Sequence, residues 1–273
     1  MRKSSILAVL ASVITLASCG DAPPPVDPAY RAEIENAWNE REARLTADDG
    51  WLTLTGLFWL EPGPNIIGAA EDAAVRLPDG PALVGSLHLG DDGSVTLLPD
   101  PDAGLTINGA PAAETGLAAD TTGAPDLLRS GRALFYLIAR GDRVGVRVKD
   151  PEAKTRREFR GIERFPLDPG FRVIAAFEAY PAPREVAIPT VIGEPSIMLA
   201  PGLLRFEIHG ETVTLEPYIS GPDERGLFLV FRDATSGVET YGAGRFLNAE
   251  LVEGSSEVVL DFNLATNPPC AFT

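Results

Sequence analysis

The chain has 273 residues and an acidic composition, with 39 acidic against 23 basic side chains and a formal net charge of −16. Such a charge repels phosphate backbones, so nucleic acid is excluded as an expected partner. With 45% hydrophobic residues the chain can bury a sizeable core, and its two cysteines exclude a disulfide framework.

The beginning of the chain has the zones of an export signal. Two basic residues precede an apolar stretch over 6–16, which is too short to span a bilayer. The following Leu-Ala-Ser-Cys at 16–19 resembles a bacterial lipobox, which implies a diacylglycerol on the Cys19 thiol and cleavage before that residue. We therefore predict a signal peptide over 1–18, with an ordinary secretory signal or an uncleaved anchor as alternatives.

Residues 19–28 are rich in proline and predict an extended tether between the lipid and a folded domain. Removing 1–18 takes away two basic residues, so 39 acidic and 21 basic side chains leave a net charge of −18. Gly20 stands where, in the sorting rule for Gram-negative lipoproteins, an Asp retains the protein in the inner membrane. We therefore expect a cell-envelope protein bound to the membrane through Cys19, on the periplasmic face of the outer membrane rather than the inner.

Helical periodicity is confined to the segment 29–50. The spacing predicts one amphipathic helix from about 29 to 47 that packs on the rest of the protein. Its face consists of Tyr30, Ile34, Trp38, Arg41 and Leu45.

From residue 51 the apolar pattern has period two, which predicts strands. The strand-like segments are 51–55, 84–89, 94–98, 132–140, 143–149, 203–208, 212–215, 227–231, 241–247 and 258–262. Asn108-Gly109 is a strong hairpin signal. We predict a mainly β chain with two sandwich or barrel-like lobes, over 51–150 and 151–273, and one N-terminal helix.

A basic stretch stands out in this acidic chain. Residues 140–164 carry nine basic and five acidic side chains, a local charge of +4. Two interpretations stay open: a site for a small anionic ligand such as a carboxylate or phosphate, or a solvated face of local ion pairs. We place the boundary between the two lobes near Asp150-Pro151.

Several common catalytic motifs are absent from the sequence. There is no HExxH, Cys-x-x-Cys, G-x-S-x-G or P-loop, and the two histidines, His88 and His209, lie in separate strand regions. We therefore expect neither a metal nor a cofactor.

Chemistry-bearing residues concentrate near the end of the chain, where polar side chains interrupt apolar strands. On an extended strand Asp261 and Asn263 share one face, and Arg245 on a nearby strand is predicted to pair with Asp261. The cluster is either a structural hydrogen-bonded network or a ligand pocket. The candidate residues are Tyr241, Arg245, Asp261, Asn263, Asn267 and Cys270.

Two functions follow from these features. The first is a non-catalytic envelope module that binds a small molecule or a partner protein. The second is a hydrolase-type enzyme built on the candidate residues, with Cys270 as a nucleophile beside His209 or as an inert buried thiol. The three tryptophans, Trp38, Trp51 and Trp59, either line a sugar or lipid groove or fill the core.

The C-terminal stretch resembles a bacterial family known as domain of unknown function 1684. The resemblance is most specific at 260–270 and also includes 50–52, 56–60, 147–150 and 241–247. It implies no established activity. Members of the family typically continue into a Cys-Pro-Leu-Pro-Pro segment and a terminal Gly-Glu, so a chain that stops at Thr273 is expected to be a fragment or a truncated member.

Residues 63–113 are loosely similar to forkhead-associated β-sandwiches. The similarity rests on 63–68, on Val-Arg-Leu-Pro at 75–78 and on Ile-Asn-Gly at 107–109. The phosphothreonine-binding arginine that this family would place after an Ile-Gly pair is Ala69 here. The resemblance therefore implies the fold without phosphopeptide binding.

Overall fold

The computed structural model describes residues 26–189, 195–221, 224–252 and 254–272. It contains a 19-residue helix, α1 (Pro28–Thr46), and a single helical turn, α2 (Lys154–Arg157), with strands making up most of the remaining regular structure. The prediction of a mainly β chain with one N-terminal helix is confirmed. The predicted signal peptide, the lipobox and most of the tether lie outside the described residues.

Among the residues that the structure describes, eleven strands precede α2. They are β1 (Leu54–Trp59), β2 (Gly63–Gly68), β3 (Val75–Arg76), β4 (Gly85–Leu89), β5 (Val95–Pro99), β6 (Thr106–Ile107), β7 (Ala110–Pro111), β8 (Thr115–Gly116), β9 (Leu128–Ser130), β10 (Ala133–Arg140) and β11 (Arg143–Lys149). Six further strands follow, namely β12 (Arg172–Ile188), β13 (Ser196–Ile208), β14 (Glu211–Leu215), β15 (Gly226–Phe231), β16 (Arg245–Glu250) and β17 (Glu257–Asp261).

The first lobe is a sandwich of two sheets. One sheet has the order β1-β11-β10-β9-β6-β7 and the other the order β3-β2-β4-β5-β8. Alternate side chains of both sheets meet in one hydrophobic cluster, to which Leu87 and Leu97 contribute from one sheet and Phe135 and Val146 from the other. The alternate positions point away from this cluster, and on β10 two of them, Leu134 and Ile138, are also buried.

The second lobe has a separate hydrophobic cluster. It lies between a four-stranded sheet, β14-β13-β12-β17, and the pair β15-β16. Leu204 and Leu260 contribute from the first of these sheets, and Leu229 and Leu247 from the pair. The two clusters account for the predicted two-lobed, mainly β architecture.

A side-chain cap defines the beginning of helix α1, and a close turn of the backbone follows its end. The Asp27 carboxylate accepts hydrogen bonds from the backbone N–H groups of Ala29 (2.8 Å) and Tyr30 (3.1 Å), and Pro28 occupies the first turn. After Thr46 the chain turns back so closely that a Cβ added at Gly50 would lie only 2.5 Å from the carbonyl oxygen of Leu45. Ile34 and Leu45 are the buried side chains of α1.

The region around Asp150 forms a tight junction. Asp150 is 4% exposed, and its carboxylate accepts from Arg132 Nε at 2.8 Å and from the Glu152 backbone N–H at 2.9 Å. Nearby, the Arg156 guanidinium donates to the Thr46 carbonyl at 2.7 Å. The predicted lobe boundary therefore falls on an ordered, hydrogen-bonded segment.

Two of the sequence-based strands differ from the structure, and one long strand was not predicted. Residues Trp51–Thr53 form a 3-10 turn instead of a strand, and the segment 241–247 becomes a strand only at Arg245. The long β12 was not predicted, because its alternation is broken where the register with β13 shifts between Ala179 and Arg184, a segment that contains Pro181 and Pro183. The predicted Asn108-Gly109 hairpin is confirmed, with positive φ angles of 50° and 85°.

Within the described residues no helix is long and apolar enough to cross a membrane.

Leu97→Ala and Leu98→Ala test the register of β5. Leu97 is fully buried between the sheets of the first lobe, whereas Leu98, the next residue, is 43% exposed. Leu97→Ala should lower the free energy of unfolding by about 2–5 kcal/mol because it leaves a cavity. Leu98→Ala should cost less than about 1 kcal/mol. Urea unfolding measures both, and equal losses would contradict this register.

Candidate functional site

The helix α1 lies against the polar C-terminal stretch. The Tyr30 hydroxyl donates to Asp261 Oδ2 at 2.7 Å, and Trp38 Nε1 donates to the Asn263 carbonyl at 3.0 Å. Arg41 Nη2 donates to the Asn267 carbonyl at 2.6 Å. These three donors belong to the helical face predicted from spacing, but the sequence held no signal for their partners, which lie more than 200 residues away.

The Asn263 side chain is the centre of this contact. Its Nδ2 lies 2.9 Å from the Asp168 carbonyl, 3.0 Å from Asp261 Oδ1 and 3.1 Å from the Tyr30 hydroxyl. Its Oδ1 accepts from the Asp168 backbone N–H at 3.1 Å. Both ends of the amide are therefore occupied by protein groups.

Asp261 is 8% exposed, and neutral donors satisfy its carboxylate. Oδ1 accepts from the backbone N–H and the side chain of Asn263, while Oδ2 accepts from Tyr30. Burial, together with the hydrogen bond to Asp261, raises the pKa of the Tyr30 hydroxyl above its ordinary value. Tyr30 is thus held in its neutral, proton-donating form. We name Tyr30, Asp168, Asp261 and Asn263 the Asn263 network.

The prediction that Asp261 and Asn263 share one face of an extended strand is wrong. β17 ends at Asp261, and residues Phe262–Leu264 form a 3-10 turn. The Asp261 side chain caps this turn by accepting from the Asn263 backbone N–H at 3.0 Å. Short polar side chains compete with strand hydrogen bonding in this way.

The predicted pair between Arg245 and Asp261 is also wrong. Arg245 forms its ion pair with Asp233, in the segment after β15, and its guanidinium carbon lies 5.1 Å from the centre of the Phe231 ring. Strand pairing explains the difference, because β16 pairs with β15, whereas Asp261 is opposite Arg172 on β12. Burial raises the pKa of Asp233, but hydrogen bonds from Thr235 and Arg245 outweigh it, so that this pKa lies below the usual value.

The remaining candidates form a second small group. The Tyr241 backbone N–H donates to Asn267 Oδ1 at 3.1 Å, and Cys270 Sγ lies 3.8 Å from the Tyr241 hydroxyl. This hydrogen bond with Cys270 raises the pKa of Tyr241. His209, considered as a base for Cys270, packs edge-on against Phe171 with ring centres 4.9 Å apart.

Two shallow clefts in the described part of the chain have volumes of about 450 Å³ and 500 Å³. Tyr218 and Phe228 help to line the first, and Leu137 and Val144 the second. Neither is lined by any of the six candidate residues. In the part of the chain that the structure describes, no group of three or more His, Cys, Asp or Glu side chains could hold a metal ion.

The basic stretch consists partly of local pairs. Arg140 holds the Asp120 carboxylate with two hydrogen bonds, of 2.9 and 2.7 Å, while Arg156 and Arg164 pair with Asp48 and Glu42 of the N-terminal region. Other members stack on aromatic rings instead. Arg143 lies 4.0 Å from the Trp59 ring centre, Arg147 5.4 Å from that of Trp51 and Lys149 5.5 Å from that of Tyr136.

The family model described as Protein of unknown function (DUF1684) matches residues 157–273. The expected resemblance at 50–60 and 147–150 lies outside this match. No curated protein matches the chain.

Among solved structures, an uncharacterized protein of Haloarcula marismortui studied by NMR is 34% identical, with a TM-score of 0.38. The alignment covers 43% of this chain and 66% of that one. A forkhead-associated domain from a study of phosphothreonine-dependent interactions is 27% identical, over 34% of this chain and 92% of its own, with a TM-score of 0.24. The FhaA forkhead-associated domain in complex with the intracellular domain of Rv3910 is 26% identical, over 34% and 97%, with a TM-score of 0.23.

Tyr30→Phe tests the Asn263 network. The change removes one donor to the buried Asp261 carboxylate and should lower the free energy of unfolding by about 1–3 kcal/mol. The Tyr30 pKa is raised on folding. The hydrogen bond from Tyr30 therefore contributes fully to the free energy of unfolding below pH about 10, and this contribution is lost as the pH rises through the pKa of the folded protein. The matched control is Tyr136→Phe, because the Tyr136 hydroxyl makes no hydrogen bond within the described ranges. Urea unfolding from pH 7 to 11 would contradict this account if both variants behaved alike.

A double-mutant cycle tests the reassigned ion pair. Arg245→Ala and Asp233→Ala should be coupled by roughly 0.5–3 kcal/mol, and Arg245→Ala and Asp261→Ala by less. The Asp233 pKa is lowered, so this coupling should be complete above pH about 4 and decline as the pH falls. Urea unfolding at pH 7 and pH 3 provides the values, and a larger coupling to Asp261 would restore the original pairing.

Proposed function

We propose that the chain is an exported lipoprotein, anchored in the cell envelope through Cys19, and that its folded part is a non-catalytic binding module. The anchor rests on the sequence, in which a charged start, an apolar stretch and the small residues before Cys19 agree. The Gly at position 20 favours the periplasmic face of the outer membrane.

The observation that carries the binding-module proposal is that the polar groups of the Asn263 network already form hydrogen bonds with one another. The density of polar residues near the C-terminus was the reason to consider a hydrolase. Asp261 and Asn263 use their side chains to bond Tyr30, Asp168 and each other. A carboxylate that is buried and satisfied by structural donors has few remaining positions for a substrate.

The contacts of α1 also explain how an anchor at Cys19 would be connected to the folded domain. The chain passes directly from the proposed anchor segment into α1, which begins at Pro28. The hydrogen bonds of Tyr30, Trp38 and Arg41 fasten this helix to the C-terminal stretch. A lipid at Cys19 would therefore hold the second lobe near the membrane through the 19-residue helix α1.

Cys19→Ser tests the anchor. The wild-type protein should be recovered in the membrane fraction with a lipid mass on an N-terminal Cys19, whereas the variant should be soluble or remain unprocessed. Mass spectrometry of the N-terminal peptide measures both. The matched control, Cys270→Ser, removes the other cysteine and should leave the lipid in place. An unmodified terminus at another residue would contradict the proposal.

A further inference from the structure

One face of the first lobe combines cations and aromatic rings in a way that the proposed function does not yet use. On β11 the side chains of Val146 and Val148 are buried in the core, so Arg143, Arg147 and Lys149 point outward. Strand pairing places residues of the neighbouring strands beside them on the same side of the sheet. We name this surface the basic face; it consists of Arg129, Arg143, Arg147 and Lys149 with Trp51, Trp59 and Tyr136.

The aromatic rings hold the cations in place. The Trp59 ring packs closely against Gly145, where an added Cβ would lie only 2.9 Å from the indole. The Arg143 guanidinium covers the ring at 4.0 Å from its centre. Stacking of this kind leaves the N–H edges of a guanidinium available and lowers the entropy that a bound ligand must remove.

The positive charge of the basic face indicates the kind of ligand that it would bind. Arg140, at the rim of this face, is neutralised by Asp120. Among the described residues, no ion pair with an acidic side chain involves Arg129, Arg143 or Arg147, although the charge of Arg147 contributes to the lowered pKa of Asp120. In a chain with a net charge of −16, such cations on one face are complementary to a negatively charged ligand.

Shape restricts the ligand further. Arg129 and Arg143 are exposed, the other five residues of the basic face are partly exposed, and none of the seven lines either of the two clefts described above. Arg143 and Arg147 are four residues apart on one strand, which separates them by roughly 13 Å. An open face with cations at such intervals suits an extended chain that carries repeated carboxylates better than a compact solute.

Two other kinds of ligand fit less well. Insertion into a membrane requires protruding apolar side chains, whereas the Trp59 ring lies between Gly145 and Arg143. Nucleic acid carries one charge about every 1.7 Å of duplex, a density that the acidic remainder of the protein repels. We propose that the basic face binds an acidic polysaccharide through its carboxylate groups. This inference rests on the proposed function as a binding module and specifies its ligand class.

Affinity electrophoresis of the purified protein, in gels cast with polygalacturonate, tests the proposal. We expect clear retardation that disappears with added salt, and none with the fully methyl-esterified polymer, which has the same backbone without charge. Arg143→Ala/Arg147→Ala should weaken the apparent affinity at least tenfold. The matched control is Arg157→Ala/Arg160→Ala, which removes the same charge from exposed positions outside the face and should change the affinity less than twofold.

Arg129→Ala provides a second variant, because Arg129 covers no aromatic ring in the described structure and its loss cannot disturb the stacked rings. It should weaken binding severalfold while the circular dichroism spectrum stays unchanged. Absence of retardation, equal retardation by the neutral polymer, or undiminished binding by the Arg143/Arg147 variant would overturn the proposal. Stronger retardation by single-stranded DNA, or binding of the Cys19→Ser variant to phosphatidylglycerol vesicles without polymer binding, would overturn it in favour of those ligands. The lipid mass on Cys19, measured in the same samples, reports separately on the anchor.

Discussion

The hydrogen bond from Tyr30 to Asp261 joins α1 to the end of β17. A buried carboxylate needs donors, and Asp261 obtains them from Tyr30 and Asn263 rather than from an arginine. The same Asn263 amide binds both the C=O and the N–H of Asp168, so three distant segments meet at one side chain. Loss of any member leaves buried polar groups unpaired, which is why the position of α1 depends on this contact.

The molecule uses its polar groups in two opposite ways. In the Asn263 network, donors and acceptors are matched within the protein, and this matching stabilises the structure at the expense of ligand binding. On the basic face Arg143 and Arg147 lie over tryptophan rings and form no ion pair with an acidic side chain among the described residues. A guanidinium that is oriented by stacking but not neutralised by a carboxylate retains most of its capacity to bind an external anion. The two regions differ in whether their polar groups have bonding partners within the protein, and not in the types of residue.

Local patterns in the sequence predicted the local elements well. The face of α1 followed from spacing, and the hairpins β10–β11 and β13–β14 followed from alternation around short turns. Errors occurred where a side chain bonds its own backbone, as Asp261 does when it ends β17, or where a strand is long and irregular, as β12 is. In both cases a local hydrogen bond or a bulge replaced the periodicity on which the prediction depended.

The sequence by itself determined the fold class, the helix, most strands and the concentration of polar residues near the C-terminus, because these depend on neighbours a few residues apart. Only the tertiary structure decided the partners of those residues. Arg245 and Asp261 are 16 positions apart and looked like a pair, yet strand order directed one to Asp233 and the other to Tyr30. Likewise, the composition of the basic stretch was visible in the sequence, but only sheet pairing placed its cations beside Trp59 and Tyr136. Which side chains share a face depends on the register between distant strands.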